Sequence, residues 1–200
     1  MLKAYHTRGA VEAGCDEAGR GCIAGPVFAA AVILPPGFSN PMLDDSKKLS
    51  AGKRKQLRVL IEEEARAWAV GIVSEQEIDQ INILNASFEA MHRALDQLDL
   101  QPSYLLVDGN RFKPYRQISH SCIIKGDGIF ASIAAASILA KTHRDEYMEA
   151  LHQQYPHYGW NKNMGYPTRM HRRAVCDHGP SPHHRRSFRL LDEQMRLGFS

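Results

Sequence analysis

Asp16 and Glu17 are adjacent at the end of an apolar stretch and are followed at once by Gly19-Arg20-Gly21. Neighbouring carboxylates repel and raise each other's pKa unless a cation is shared between them, so a hard divalent ion is the natural explanation. For the dipeptide alone, a solvated Asp-Glu turn is the competing reading. Asp108 and Asp127 weaken it, because each follows its own apolar run, in Val107-Asp108-Gly109 and Lys125-Gly126-Asp127. Neighbouring strands of one sheet can bring all four acids together. Four oxygen donors without partnered His or Cys suit Mg²⁺ or Mn²⁺ rather than zinc. Such ions act with substrate phosphates, and two of them ~3.5 to 4 Å apart activate water on one side and steady the leaving oxygen on the other. These residues therefore predict metal-dependent hydrolysis of a polynucleotide.

The elements that must position them can be read from periodicity. Val11 to Asp16 and Val27 to Leu34 read as two strands of a hairpin, the second closed by Pro35-Pro36-Gly37. Ser50 to about Arg66 reads as a helix with Ser50 as N-cap and Leu57, Leu60, Ile61 and Ala65 on one face, and Trp68 to Val73 as a strand. In Glu75 to Leu98, the recurrence of Ile78, Ile81, Leu84, Phe88, Met91, Leu95 and Leu98 predicts one long helix with one buried stripe. Tyr104 to Asp108 and Ile118 to Lys125 are further strands. Ile129 to about Gln154 is helical, and its small first half (Ala131, Ala134, Ala135, Ala136, Ala140) predicts a close crossing of the sheet. Strands first, then alternating helices and strands, give an α/β class with a mixed central sheet.

Composition sets the frame. Two hundred residues, 44% hydrophobic and 24% charged, predict one soluble domain over residues 1–200 and exclude disorder and fibrous architectures. The longest apolar run, Val27 to Leu34, is far shorter than the ~18 residues of a membrane span. Lys3, Arg8 and Glu12 at the start predict neither a signal peptide nor an anchor, hence a cytoplasmic protein without a membrane partner. Cys15, Cys22, Cys122 and Cys176 have no paired spacing and read as reduced thiols. Net charge is only +3, but its distribution is uneven. Lys47, Lys48, Lys53, Arg54, Lys55 and Arg58 form one basic zone, and Lys162, Arg169, Arg172, Arg173, Arg185, Arg186 and Arg189 form another. Two such zones suggest a polyanion, with solvated faces as the alternative.

Several strings occur together and in order: Asp-Glu-Ala-Gly-Arg-Gly (16 to 21) with Ala-Gly-Pro-Val (24 to 27), Asp-Ser-Lys-Lys-Leu-Ser (45 to 50), Val-Asp-Gly (107 to 109), Lys-Gly-Asp (125 to 127), Ala-Ala-Ser-Ile-Leu-Ala-Lys (135 to 141) with Arg144-Asp145, and Gly-Tyr-Pro-Thr (165 to 168). In this the chain resembles bacterial ribonuclease HII, of the type 2 ribonuclease H family. The resemblance implies a ribonuclease H-like fold with a small basic helical C-terminal segment over about residues 156–200. It also implies a monomeric endonuclease that cuts the RNA strand of RNA/DNA hybrids and incises duplex DNA 5′ of embedded ribonucleotides, leaving 3′-hydroxyl and 5′-phosphate ends. Carried over by position, Asp16, Glu17, Asp108 and Asp127 are the catalytic and metal-binding carboxylates for Mg²⁺ or Mn²⁺. Gly19, Arg20 and Gly21 resemble the loop that grips the ribonucleotide-to-deoxyribonucleotide junction, and small residues there let backbone groups approach a 2′-hydroxyl. Tyr166 resembles the tyrosine that stacks on the sugar just beyond. Lys47 and Lys141 are candidate phosphate contacts. Asp145 is either a helper of the site or half of a surface ion pair. The family's longer members carry a further helical C-terminal segment that aids duplex binding.

Two other classes compete. Gly19-Arg20-Gly21-Cys22-Ile23-Ala24 fits a dinucleotide fingerprint with Asp44 about twenty residues on, which would make an oxidoreductase. That motif needs a helix after it, whereas Val27 to Leu34 reads as a strand. A non-catalytic nucleic-acid-binding module, with Cys176, His178, His183 and His184 as zinc ligands, is the other alternative, against the simpler reading of a solvated basic tail.

Overall fold

The computed structural model describes residues 1–43 and 49–191. Among these residues five strands form one sheet: β1 (Glu12–Ala18), β2 (Val27–Ile33), β3 (Ala67–Val73), β4 (Tyr104–Asp108) and β5 (Ser119–Ile123), in the order β3-β2-β1-β4-β5. The β1–β2 and β2–β3 pairs are antiparallel, and β1–β4 and β4–β5 are parallel, so the sheet is mixed as expected. The hairpin reading of β1 and β2 holds.

Helices cover both faces. On β2, alternation sends Ala29, Ala31 and Ile33 into a core with Ile78, Met91 and Leu95 of α2 (Glu75–Asp96). Ala30 and Val32 face the other way, toward Leu57 and Ile61 of α1 (Ala51–Glu64) and Ile138 and Leu139 of α3 (Ala131–Gln154). Ser50 caps α1, its hydroxyl accepting from the Lys53 amide. Because β2 is buried on both sides, it reads as a continuous apolar run rather than as an alternating one.

The small first half of α3 does cross the sheet closely. A methyl group added at Gly14 of β1 would come within 2.2 Å of the Ser132 backbone, so strand and helix touch main chain to main chain. Gly14→Ala would force them apart.

The long helix departs from its expectation. Asn82 interrupts it with a left-handed φ of 65°, and its side-chain oxygen accepts from the Leu84 and Asn85 amides, capping a second helical piece. The break shifts the phase. Ile81 is exposed, Leu84 is only half-buried, and the buried stripe after the break runs through Ala86, Ala90, Met91, Ala94 and Leu95.

Beyond α3, a short helix α4 (Trp160–Asn163) and α5 (Arg169–His178) pack with Met148 and Leu151 around Tyr158 and Trp160. The expected helical segment over about residues 156–200 is helical here as far as His178, and residues 179–191 form turns and irregular chain. Among the described residues no helix is long and apolar enough to cross a membrane, and the four cysteines are free thiols.

Candidate active site

The parallel register of β1 and β4 pairs Cys15 with Val107, so Asp16 and Asp108 are the next residues along adjoining strands. Asp16 faces α3, where the Ser137 hydroxyl donates to it, and its Oδ1 also accepts from the Glu17 amide at 2.7 Å. Glu17 accepts from the Arg20 guanidinium at 3.0 Å. Asp108 Oδ1 accepts from the Gly126 amide at 2.7 Å, which ties the end of β4 to the turn after β5. Asp16, Glu17 and Asp108 line one cleft of about 240 Å³ with Gly19, Arg20, Gly21, Arg54, Ser137, Lys141 and Tyr166.

The electrostatics of these acids are unfavourable as they stand. Burial holds the Asp16 carboxyl well above the usual carboxylate range, and Glu17 and Asp108 push it further in the same direction. Glu17 is also raised, by burial first and by Asp108, although Arg20 opposes this. A buried, mutually repelling oxygen set fits a hard divalent cation, which would relieve both causes at once. Among the described residues, no three His, Cys, Asp or Glu side chains already stand in a ligating array. Their oxygens are instead engaged by Ser137, Arg20 and backbone amides.

Asp127 lies in the 3₁₀ turn Gly126–Gly128 after β5 and is buried, next in sequence to the amide that holds Asp108. It is not among the residues lining the cleft. Lys47 lies outside the described residues, as does Asp44 of the dinucleotide reading.

Gly19 has a φ of 96°, which favours glycine, and a methyl group there would fall 2.1 Å from the Arg144 Nε. Arg144 is buried in α3 and donates to three main-chain carbonyls, those of Ala24, Pro26 and Met164. It therefore braces the glycine loop against the segment that carries Tyr166. From the other side, Arg185 donates to the carbonyls of Gly25 and Arg20. Tyr166 is 41% exposed and lies over Gly21, where a methyl group would sit 3.9 Å from the ring. It is a surface ring beside the cleft, not a core tyrosine.

A second depression of about 380 Å³ adjoins the first through Arg54, Lys141 and Tyr166, and Lys55 and Lys162 line it further out. Lys141 pairs with Asp145 one turn along α3, so the ion-pair reading of Asp145 holds, with both side chains only partly exposed at the groove wall.

The basic zones are less uniform than their sequences suggest. Arg58 pairs with Glu62 and Glu146, Arg173 with Asp177, and Arg185 is fully buried as a brace. The rival classes lose their structural footing. β2, not a helix, follows the glycine loop, and His184 and His183 are engaged by Ser181 and Glu75 rather than gathered with Cys176. Sequence reading placed Arg54 and Arg185 only in the basic zones and gave Ser137 and Arg144, though part of the motif strings, no role. Arg144 gave one signal, its place with Asp145 in the string that follows Ala-Ala-Ser-Ile-Leu-Ala-Lys (135 to 141).

The family model for ribonuclease HII matches residues 13–191. A protein named ribonuclease HII from Bacteroides thetaiotaomicron is 61% identical over 200 residues, covering 100% of both chains. Among solved structures, the ribonuclease H2 of Pyrococcus horikoshii OT3 superposes with a TM-score of 0.75 at 26% identity, over 92% of this chain and 98% of that one. Bst-RNase HIII, solved in complex with Mn²⁺, shares the fold with a TM-score of 0.70 at 18% identity, over 94% of this chain and 69% of that one.

Proposed function

Because the chain belongs to the ribonuclease HII family, we propose that it cuts the RNA strand of RNA/DNA hybrids and incises duplex DNA on the 5′ side of embedded ribonucleotides. The observation that carries this reading is the cleft itself. Three carboxylates on adjoining strand ends share it with a glycine-flanked loop and an exposed tyrosine.

Asp16, Glu17 and Asp108 would hold divalent ions, Mg²⁺ or Mn²⁺, with Asp127 completing the set from the neighbouring turn. When bound, such ions lower the pKa of attacking water and stabilise the charge of the leaving oxygen. The protein's part is to hold the acids in place. Ser137 fixes one oxygen of Asp16, and the Gly126 amide fixes one of Asp108. Glu17, paired with Arg20, would be one of the residues that hold the ion, and the Arg20 guanidinium would then be placed to meet a substrate phosphate.

A lone ribonucleotide differs from its neighbours by one 2′-hydroxyl, so a group that senses it must come close. The backbone of Gly19-Arg20-Gly21 can do so, and the Tyr166 ring beside Gly21 would stack on the next sugar and sense that it lacks the oxygen. Lys141, Arg54, Lys55 and Lys162 run along the adjoining groove and would contact phosphates of the duplex. Lys47 joins this set on the family resemblance alone. We further read the protein as a cytoplasmic monomer with a single catalytic domain.

The test is a labelled DNA duplex holding one ribonucleotide, beside all-DNA and RNA/DNA duplexes, each incubated with Mg²⁺, Mn²⁺ or EDTA. The expected result is cleavage 5′ of the ribonucleotide and within the RNA strand, dependent on metal, with all-DNA untouched. Cleavage in EDTA, or equal cleavage of all-DNA, would contradict the proposal.

A further inference from the structure

Behind Tyr166 lies a buried polar cluster to which the proposed chemistry gives no role. His171 and His184 are both buried, on α5 and in the strand-like segment after it, and their Nε2 atoms lie 3.1 Å apart. The Trp160 indole N–H donates to His171 Nε2 at 2.9 Å, so that nitrogen is an acceptor. His171 Nδ1, 2.9 Å from the Tyr166 carbonyl, must then carry the proton and donate it. On the far side the Ser181 amide donates to His184 Nδ1 at 2.9 Å, which leaves the His184 proton on Nε2, facing His171. One set of tautomers is consistent with these contacts: Ser181 donates to His184, His184 and Trp160 share the single lone pair of His171 Nε2, and His171 donates to the main chain of Tyr166. Both rings are neutral, since burial lowers the pKa of His171 and drives that of His184 down to about 3.

Resting on the reading of Tyr166 as the junction-sensing ring, we propose that His171 is a positioning residue for it, held in the required tautomer by Trp160 and His184. The ring of Tyr166 is 41% exposed, and beside the contact of its hydroxyl with Cys22 its placement depends on the peptide beneath. That peptide is held by the His171 N–H, by the Thr168 amide on the same carbonyl, and by the Tyr166 amide donating to Asn163. Of these, the His171 contact alone comes from a side chain. Without it the carbonyl keeps the Thr168 contact, and the turn is joined to α5 through the Thr168 cap and the Arg172 contact to Pro167 but no longer at Tyr166 itself.

The two amide replacements separate this role from bulk packing. In His171→Asn the side-chain amide overlays Nδ1 and can still donate to the Tyr166 carbonyl, while the contact to Trp160 is lost. In His171→Gln the amide overlays Nε2, so Trp160 keeps its acceptor and the Tyr166 carbonyl loses its donor. The readout is the ratio of kcat/KM on the single-ribonucleotide duplex to that on a continuous RNA/DNA hybrid, with Tyr166→Ala alongside. His171→Gln should lower the ratio about tenfold, toward that of Tyr166→Ala, whereas His171→Asn should stay within about threefold of the parent. Equal ratios in the two variants, or ratios that simply follow Tm, would overturn the positioning role. If Tyr166→Ala itself leaves the ratio unchanged, the junction-sensing reading fails first and this proposal with it. Should neither His171 variant fold, nitrogen-15 NMR of the parent protein decides: a proton on His171 Nδ1 supports the network, and one on Nε2 overturns it.

Discussion

Two buried polar regions lie side by side in this molecule and solve opposite problems. At the strand ends, Asp16, Glu17 and Asp108 crowd like charges into a desolvated cleft, and burial and repulsion raise the pKa of Asp16 and Glu17. In the C-terminal cluster, Arg144, Arg185, His171 and His184 are just as buried, yet main-chain groups satisfy most of their donors and acceptors. One exception is Arg185 Nη2, which has no hydrogen-bond partner among the described residues, while the guanidinium lies over the Phe188 ring at 5.1 Å. The contrast separates two uses of buried polarity. A network of matched donors and acceptors fixes positions, and a crowded set of like charges keeps a place for a cation.

The largest effect should come from removing charge at the strained end. Asp108→Asn is expected to lower cleavage on the order of a thousandfold at saturating metal while leaving duplex affinity within about threefold, because the groove cations remain. Gel-shift and single-turnover assays check this together. Near-normal turnover would remove Asp108 from the chemistry.

Gly19→Ala probes the boundary between the regions, where the loop meets the Arg144 brace. A side chain at a φ of 96°, overlapping the guanidinium, should cost about 1 to 3 kcal/mol of stability. Urea denaturation measures it, and an unchanged midpoint would mean that the loop relaxes freely.

The satisfied region should show its own acid limit. A histidine whose folded pKa is depressed contributes stability that is complete above its unfolded value of about 6.5 and is lost as pH falls toward the folded one. His184, at about 3, and His171, also lowered, should therefore make Tm fall between roughly pH 6.5 and pH 3. His184→Gln should flatten that slope while lowering Tm at neutral pH. An unchanged slope would show that other groups carry it.

Much of the architecture was legible because its signals are local. The Ser50 cap, the β-branched runs of β2 and β3 and the small face of α3 each specify an element without reference to the rest. The phase of α2 was not, because Ile81 and Leu84 continue the apolar period straight through Asn82, and only the three-dimensional structure shows that Asn82 breaks it. Within the site, Asp16 and Asp108 could be placed together because both end strands, and register does the rest. The braces were invisible for a different reason. Arg185 and His184 sit in a run of His and Arg that looks like solvated tail, and their burial follows from long-range contacts to Arg20, Gly25 and His171.

The most direct test of the contrast is the melting temperature of Asp16→Asn in EDTA near pH 8. A carboxylate whose folded pKa is raised destabilises the fold above its unfolded value near 4, so neutralising it should remove the penalty. The account predicts a rise in Tm of about 2 to 5 °C, loss of cleavage, and a smaller further rise on adding Mn²⁺ than the parent protein shows. A lower Tm in EDTA together with an undiminished Mn²⁺ shift would contradict it, because Asp16 would then be a satisfied structural acid and not part of a site kept for a cation.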